Sequence, residues 1–569
     1  MIDGVGPFFT GHPRGRINWS KIPFSTLERG GRLDREGFRT IRELFKRFAG
    51  TAAAMGFTAV SLDDLAHLTD FPAYSPGLRR RITDYREEFD VLFDLAHAAG
   101  LKPYLTTDIV FFNRELDAAL GRDDERIVPF LKASVEALFR DFPRVSGLII
   151  RFGESDGVDV KGEFRSRPVL RTPSQVRRYL LALLSVCEPA RRNLVVRTWS
   201  LGAYPVGDLM WNRRTYEEVF GLIRSPQLFI SMKYGETDFF RYVPLCAHFR
   251  EDPHHAKIVE LQARREYEGF GDYPSFVGWD YERYMRELAG CRNMAGVWVW
   301  CQTGGWTASR RITFVKDSSV WNEINVHVTA GVVIHGLSVD EAVRRWCREH
   351  LPGRDPEKCL ELLKLSAEVI RELLYLPDYA GRSVYFRRLR LPPLLHVFWD
   401  TILITGSVRT WMRHFTRDRR ATIQQGYDAL DKIKTMEELA VSLGLPAEDL
   451  RAQYAAFEIL AVAREVFLGP RSRWREGEQR LRGLIQAYRR NHGGSYSFVV
   501  KMGPSRMSAG LMGLGLRLVI RHTAPYRLSD RLVYLRALAG IGWLLKFWPA
   551  HRLPRLVGSQ GMELRHFLK

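Results

Sequence analysis

Cysteine is scarce. The 569 residues hold six (Cys187, Cys246, Cys291, Cys301, Cys347, Cys359), with no CxxC and no spacing shared with His that resembles a zinc site. That excludes a small disulfide scaffold and reads as buried free thiols in a reducing compartment; no metal site and no cofactor are expected. Long apolar runs are missing too. The best candidate, residues 537–545 between Arg536 and Lys546, falls short of the ~18 residues that cross a bilayer. The opening MIDGVGPFFTGHPRGRINW has neither the charged lead nor the apolar core of a signal peptide, so a cytoplasmic protein is expected. Acidic residues are outnumbered, 65 against 85 Lys and Arg, for a net +20. This attracts polyanions without choosing among nucleic acid, anionic lipid and acidic polysaccharide. With 46% apolar and 26% charged residues, the chain can bury a large core and is not a disordered regulator.

From about residue 15 to 310, short apolar runs alternate with longer helical patterns, the signature of βα units around a parallel sheet. The runs cover residues 17–24, 57–64, 101–109, 147–155, 194–200, 228–238, 257–269 and 294–302. Helix-like segments such as DREGFRTIRELFKRFAGTAAAMG end in Gly just before the next run. Eight runs in this order predict an α/β fold, a (β/α)8 TIM barrel over residues 1–315. After residue 320 apolar residues recur at helical spacing and strand-like runs nearly vanish, which predicts a mainly α-helical domain over 316–504. A basic amphipathic segment, 505–569, closes the chain. There is no convincing internal repeat and no low-complexity linker, so the parts are expected to pack closely.

In such a barrel the active site lies at the C-terminal ends of the strands. Glu154 and Asp156 follow GLIIRFG, Glu236 and Asp238 follow LFISMKYG, and Glu266 and Glu268 follow KIVELQARR. Three of the later strands thus deliver carboxylates to one rim. Glycoside hydrolysis needs such an arrangement, one carboxyl to protonate the leaving oxygen and another to activate water or attack the anomeric carbon. Arg151 and Arg197 stand inside otherwise apolar strands; each either neutralises a neighbouring carboxylate or holds a substrate carboxylate through its planar fork. Trp199, Tyr234, Tyr267, Trp298, Trp300 and Trp306 sit at or near strand ends, where sugar rings could stack. Core packing is the default reading of Trp298 and Trp300, and Trp306 in CQTGGW is the best loop contact.

These segments resemble the glycoside hydrolase family 67 α-glucuronidases from about residue 38 to 350. LFISMKYGETDFFRYVPL is similar to that family's Ile-Lys-Asn-Gly-Pro-x-Asp-Phe-Gln stretch, and ELQARREYEGFG to its Glu-Phe-Gln-x-x-x-Glu-Tyr-Thr-Gly stretch. WNEINVHVTAGVVIHGLSVDEAVRRW resembles its Asn-Leu-Tyr-Ala-Phe-Gly-Arg-Leu-Ala-Trp helix and the Leu-Ser-x-Glu-Glu continuation. The resemblance implies that Asp238 and Glu266 position and deprotonate water in an inverting mechanism, and that Arg151 and Arg197 bind a uronate carboxylate. The family's Lys-x-Asp-Ser-Glu-Gly reads here Arg151-Phe-Gly-Glu154-Ser-Asp156-Gly157, which leaves either Glu154 or Asp156 as proton donor. Glu154, directly after the strand and with the longer side chain, is favoured. Lys-Asn-Gly-Pro has become Lys233-Tyr234-Gly235-Glu236, adding a ring and a carboxylate beside the sugar. The family's N-terminal β-sandwich is not expected here, because the first barrel strand is expected within about twenty residues of Met1.

From Ser505 onward eleven Lys and Arg face two acidic residues, and Trp543, Phe547 and Trp548 flank a short apolar run. Such a segment either packs on the helical domain or lies on an anionic inner membrane surface. No recognised nucleic-acid-binding module accompanies it. The expected function is therefore hydrolysis of a uronic-acid-containing oligosaccharide or glycan, with a non-catalytic carbohydrate-binding barrel and a neutral-sugar glycosidase as alternatives. The sequence leaves a homodimer open.

Overall fold

The computed structural model describes residues 1–9, 21–22, 24–121, 123–152, 162–166, 169–200, 204–303, 311–315, 318–381, 385–386, 389–390, 401–493 and 499–503. Eight parallel strands close into a barrel: β1 (Ile2–Asp3), β2 (Ala59–Asp63), β3 (Lys102–Asp108), β4 (Gly147–Arg151), β5 (Asn193–Arg197), β6 (Leu228–Lys233), β7 (Ala256–Gln262) and β8 (Met294–Trp300). Each pairs with its sequence neighbours, and β1 closes the ring by placing Ile2 against Val60 of β2 and Val299 of β8. Helices cover the outside, among them α1 (Arg35–Ala54), α2 (Pro76–Ala98), α3 (Asp124–Asp141), α4 (Pro173–Ala190), α5 (Arg213–Phe220) and α6 (Gly278–Leu288).

The first strand corrects the sequence expectation. It lies at Ile2–Asp3, not within residues 17–24, where Phe24–Leu27 instead forms a single 3-10 turn. Two residues are too few to show a period, and the apolar character of Ile22 and Phe24 comes from burial in a loop over the strand ends. The other seven runs hold.

Local chemistry explains why these segments form. α1 starts at Asp34, whose side chain accepts from the Gly37 N–H, and buries Phe38, Ile41, Leu44, Phe45 and Phe48 at helical spacing against the sheet. Gly56 (φ +92°) and Gly100 (φ +82°) follow α1 and α2 in the left-handed region, where a side chain is strained, so each turns the chain directly into the next strand.

Period-two alternation sorts the strand residues. Ala59, Tyr104, Ile149, Val195, Ile258, Trp298 and Trp300 form a cluster of their own inside the barrel with Phe239, and Phe229 packs against it. Two residues further along several strands stand Ser61, Thr106, Ser231 and Glu260, and at the C-terminal ends Asp63, Asp108, Arg151, Arg197 and Lys233. The interior is therefore apolar below and ionic at the rim. A larger apolar cluster joins the outer strand faces, the surrounding helices and the C-terminal helices.

That C-terminal region is mainly helical: α7 (Val320–Val333), α8 (Val339–His350), α9 (Pro356–Val369), α10 (Gly406–Phe415), α11 (Arg419–Leu443), α12 (Ala447–Leu468) and α13 (Trp474–Asn491), with one parallel pair, β9 (Thr401–Thr405) and β10 (Val499–Gly503). It is tied to the barrel. Asp449 of α12 accepts from Arg311 at 2.5 and 2.6 Å and from Trp321 Nε1 at 2.8 Å. Among the described residues no helix is long and apolar enough to cross a membrane. The basic segment, with Trp543, Phe547 and Trp548, lies outside the described residues.

Candidate active site

Asp238 follows β6 and Glu266 follows β7, and both are brought together at the rim. The Asp238 carboxylate accepts from Lys233 Nζ and from the Tyr267 hydroxyl, and from the Phe239 N–H at 3.0 Å. Tyr267 also hydrogen-bonds to Glu266, so one hydroxyl touches both carboxyl groups. The Gln262 side chain, at the end of β7, fixes the Glu266 backbone by accepting from its N–H at 2.8 Å. Burial pushes the Glu266 carboxyl up to about 8, and the negative charge of Asp238 adds to this while Lys233 opposes it. At neutral pH Glu266 thus keeps its proton.

Lys233 faces the barrel mouth. Its ammonium lies 3.5 Å from the Trp199 ring centroid and 4.6 Å from that of Phe239. Tyr234 does not join it. Alternation turns its side chain outward, where it stacks on Tyr284 of α6 (centroids 3.4 Å, interplanar angle 8°) and donates to Glu287 at 2.6 Å. The expectation that Tyr234 lines the sugar site is corrected on this ground.

The two strand arginines are engaged internally. Arg197 forks onto Glu260 of β7 at 2.9 and 3.0 Å, Ser231 donates to the same carboxylate at 2.9 Å, and the guanidinium lies 4.3 Å from the Trp300 ring centroid. Arg151 lies 3.2 Å from Asp108 Oδ1 and 3.6 Å from Asp63, and Lys21 donates to Asp108 Oδ2. Both arginines are 2% exposed, where an unpaired guanidinium would be costly. Of the two roles open from the sequence, the structure places both beside carboxylates of the protein itself. Burial also pushes Asp63 up to about 7, with Arg151 opposing and Asp64 reinforcing the shift.

Glu268, grouped with the rim carboxylates by sequence, is fully buried in a different role. It accepts from Arg241, Arg265, Ser275 and, at 2.6 Å, Tyr375. Despite burial, the Arg241 and Arg265 guanidinium groups hold it well below the usual carboxylate range. Asp3 at the end of β1 is likewise structural, receiving the backbone N–H groups of residues 301–303. Glu154, Asp156 and Trp306 lie outside the described residues.

Sequence reasoning missed Asp63, Asp108 and Glu260. The first two end strands as Asp238 follows one, and the same rule would have found them had it been applied to the early strands. Glu260 sits inside IVELQ, with its only signal the two-residue alternation that faces it to Arg197. Among the described residues no group of three or more His, Cys, Asp or Glu could hold a metal ion.

No protein-family model matches the chain, and no curated protein matches it. Solved structures do. The chain is similar to a GH138 enzyme targeting pectin rhamnogalacturonan II (12% identity, TM-score 0.48, 84% of this chain and 61% of that one). It is similar to CpGH84B (12%, 0.35, 80% and 72%) and to an O-GlcNAc hydrolase of Thermobaculum terrenum (8%, 0.39, 90% and 95%). The chain thus spans about three fifths of the first of these proteins, and at these values the likeness says nothing of substrate or mechanism.

Proposed function

We propose that the protein is a glycoside hydrolase. The observation that carries this reading is the buried Asp238–Glu266 pair at the barrel rim, bridged by the Tyr267 hydroxyl, with Glu266 protonated near neutrality. Two carboxyls that share one hydroxyl stand on the same side of a bound sugar. They are too close together to be the acid and base of an inverting pair, which leave about 6.5–9.5 Å for water. In this reading Asp238 takes the proton of the attacking water and Glu266 orients that water. The protonation of the leaving oxygen is assigned to Glu154 or Asp156, which follow β4 in the sequence. Trp199 offers a stacking face beside Lys233.

The uronate preference implied by the family 67 resemblance finds less support than a neutral sugar. Among the described rim residues Lys21, Arg151, Arg197 and Lys233 each have a carboxylate partner, so the fork that would hold a substrate carboxylate is taken. A panel of aryl glucosides, galactosides, N-acetylglucosaminides and glucuronides, with product stereochemistry followed by NMR, tests both points. Inverted product from a neutral glycoside is expected, with Asp238→Asn and Glu266→Gln each lowering kcat by about a hundredfold or more at little change in KM. Wild-type turnover in either variant, or no hydrolysis across the panel, overturns the assignment; turnover of the glucuronide alone restores the acidic sugar.

A further inference from the structure

β2 and β3 lie diametrically opposite β6 and β7 in the closed sheet, so the ends of β2 and β3 face the Asp238–Glu266 pair across the barrel mouth. Asp64, directly after β2, caps the single turn Leu65–Leu68 by accepting from the His67 N–H at 3.2 Å, and the same oxygen lies 2.9 Å from His67 Nδ1. A carboxylate only accepts, so Nδ1 carries the proton, and in that tautomer Nε2 presents a lone pair. That Nε2 is buried and has no hydrogen-bond partner among the described residues. The ring cannot turn away from the position, because it is stacked on Phe24 at 3.5 Å and met edge-on by Phe164 at 5.0 Å and Tyr85 at 5.6 Å.

Asp108, at the end of β3, repeats the pattern. Lys21 donates to its Oδ2, while its buried Oδ1 receives no hydrogen bond, Arg151 Nε standing 3.2 Å away outside bonding geometry. His67 and Asp108 line one cleft with Lys21, Phe24, Asp64 and Phe111. Its inner space is about 30 Å³, room for a single water-sized group, and it opens to solvent. Two buried acceptors without donors are costly until something supplies the hydrogens. Lys21 and Arg165 balance Asp64 and Asp108 in the lining; an anion brings no hydrogen to either acceptor, and an apolar group leaves both unmet. A hydroxyl matches the volume and the polarity.

We propose that this cleft is a sugar-binding subsite, in which His67 Nε2 and Asp108 Oδ1 accept hydrogen bonds from a hydroxyl-bearing unit of a glycan lying across the barrel mouth. It rests on the glycoside hydrolase reading of the Asp238–Glu266 side. Asp64 fixes the tautomer that makes His67 an acceptor.

The test uses the full chain with ¹⁵N-labelled histidine, titrated with millimolar glucose, N-acetylglucosamine and cellobiose. At least one sugar is expected to move the His67 Nε2 resonance in the direction of a hydrogen-bonded acceptor. His67→Phe, which keeps the ring stacked on Phe24, is expected to weaken that sugar at least about tenfold, the scale of one lost hydrogen bond. With any aryl glycoside that is hydrolysed, the same variant should raise KM by a similar factor and leave kcat within about threefold. A His67 resonance that no sugar moves overturns the subsite and leaves the cleft holding a water; so does a His67→Phe variant that binds as the wild type does. Should His67→Phe fail to fold, the wild-type titration still decides. Sugar binding at His67 without hydrolysis of any aryl glycoside removes the catalytic reading alone, and hydrolysis with an unmoved His67 removes the subsite alone.

Discussion

Glu266 keeps its proton near neutrality because burial and the charge of Asp238 both penalise its anion, with Lys233 only partly offsetting them. Asp238→Asn removes the second penalty and should bring the Glu266 carboxyl down from about 8, whereas Lys233→Met should move it further up. Titration of the glutamate side-chain carbons by NMR reads both without any substrate; an unmoved value in Asp238→Asn would mean that burial alone sets it. Asp63 makes a related case. Its folded value of about 7 lies above the ordinary 3.8, so the folded state holds a proton that the unfolded chain has already released between those pH values. Its contribution therefore favours folding below about pH 4 and is lost as pH rises to about 7. Asp63→Asn should raise Tm at pH 7 and change it little at pH 4, as scanning calorimetry would show; a fall at both would mean that the contact with Arg151 matters more than the burial of charge. The sequence marked Asp238 and Glu266 as rim carboxylates, but the raised value of Glu266 follows from its burial beside Asp238 in space, which no linear spacing displays.

At the scale of elements, strand alternation decides which residues reach the mouth. Lys233 ends β6 facing inward, so Tyr234 must face α6, and treating the two as one sugar-binding unit ignored that period. Tyr234→Phe keeps the stack on Tyr284 and removes the bond to Glu287. It should cost about 1 kcal/mol in denaturant unfolding and leave KM for any hydrolysed glycoside unchanged; a tenfold rise in KM would put Tyr234 back at the substrate. Seven of the strands were legible because each is a run of five or more residues bounded by turn signals. The first was not, because Ile2–Asp3 is stabilised by the two neighbours it closes between, Val60 and Val299, and not by any pattern of its own.

At the scale of the whole molecule, the loop after β7 carries two jobs a few residues apart: Glu266 serves the mouth and Glu268 fastens the loop to the C-terminal region. Arg241 links Glu268 to Asp280 of α6, and the Tyr375 hydroxyl, beyond α9, reaches both Glu268 and the Arg241 N–H. Glu268→Gln leaves two buried guanidinium groups without their shared carboxylate and should cost about 3–5 kcal/mol at pH 7. Because the folded value of Glu268 is depressed, its contribution is present above the ordinary 4.5 and is lost as pH falls further. The gap between variant and wild type should therefore narrow in acid. Asp449 still binds Arg311 and Trp321 in the variant, so barrel and helices should continue to unfold in one transition, at lower denaturant. Calorimetry across pH 3 to 7 reads both effects, and a Glu268→Gln variant as stable as the wild type at pH 7 would show that the guanidinium groups find other partners and that the fastening lies in the apolar contacts between the two regions.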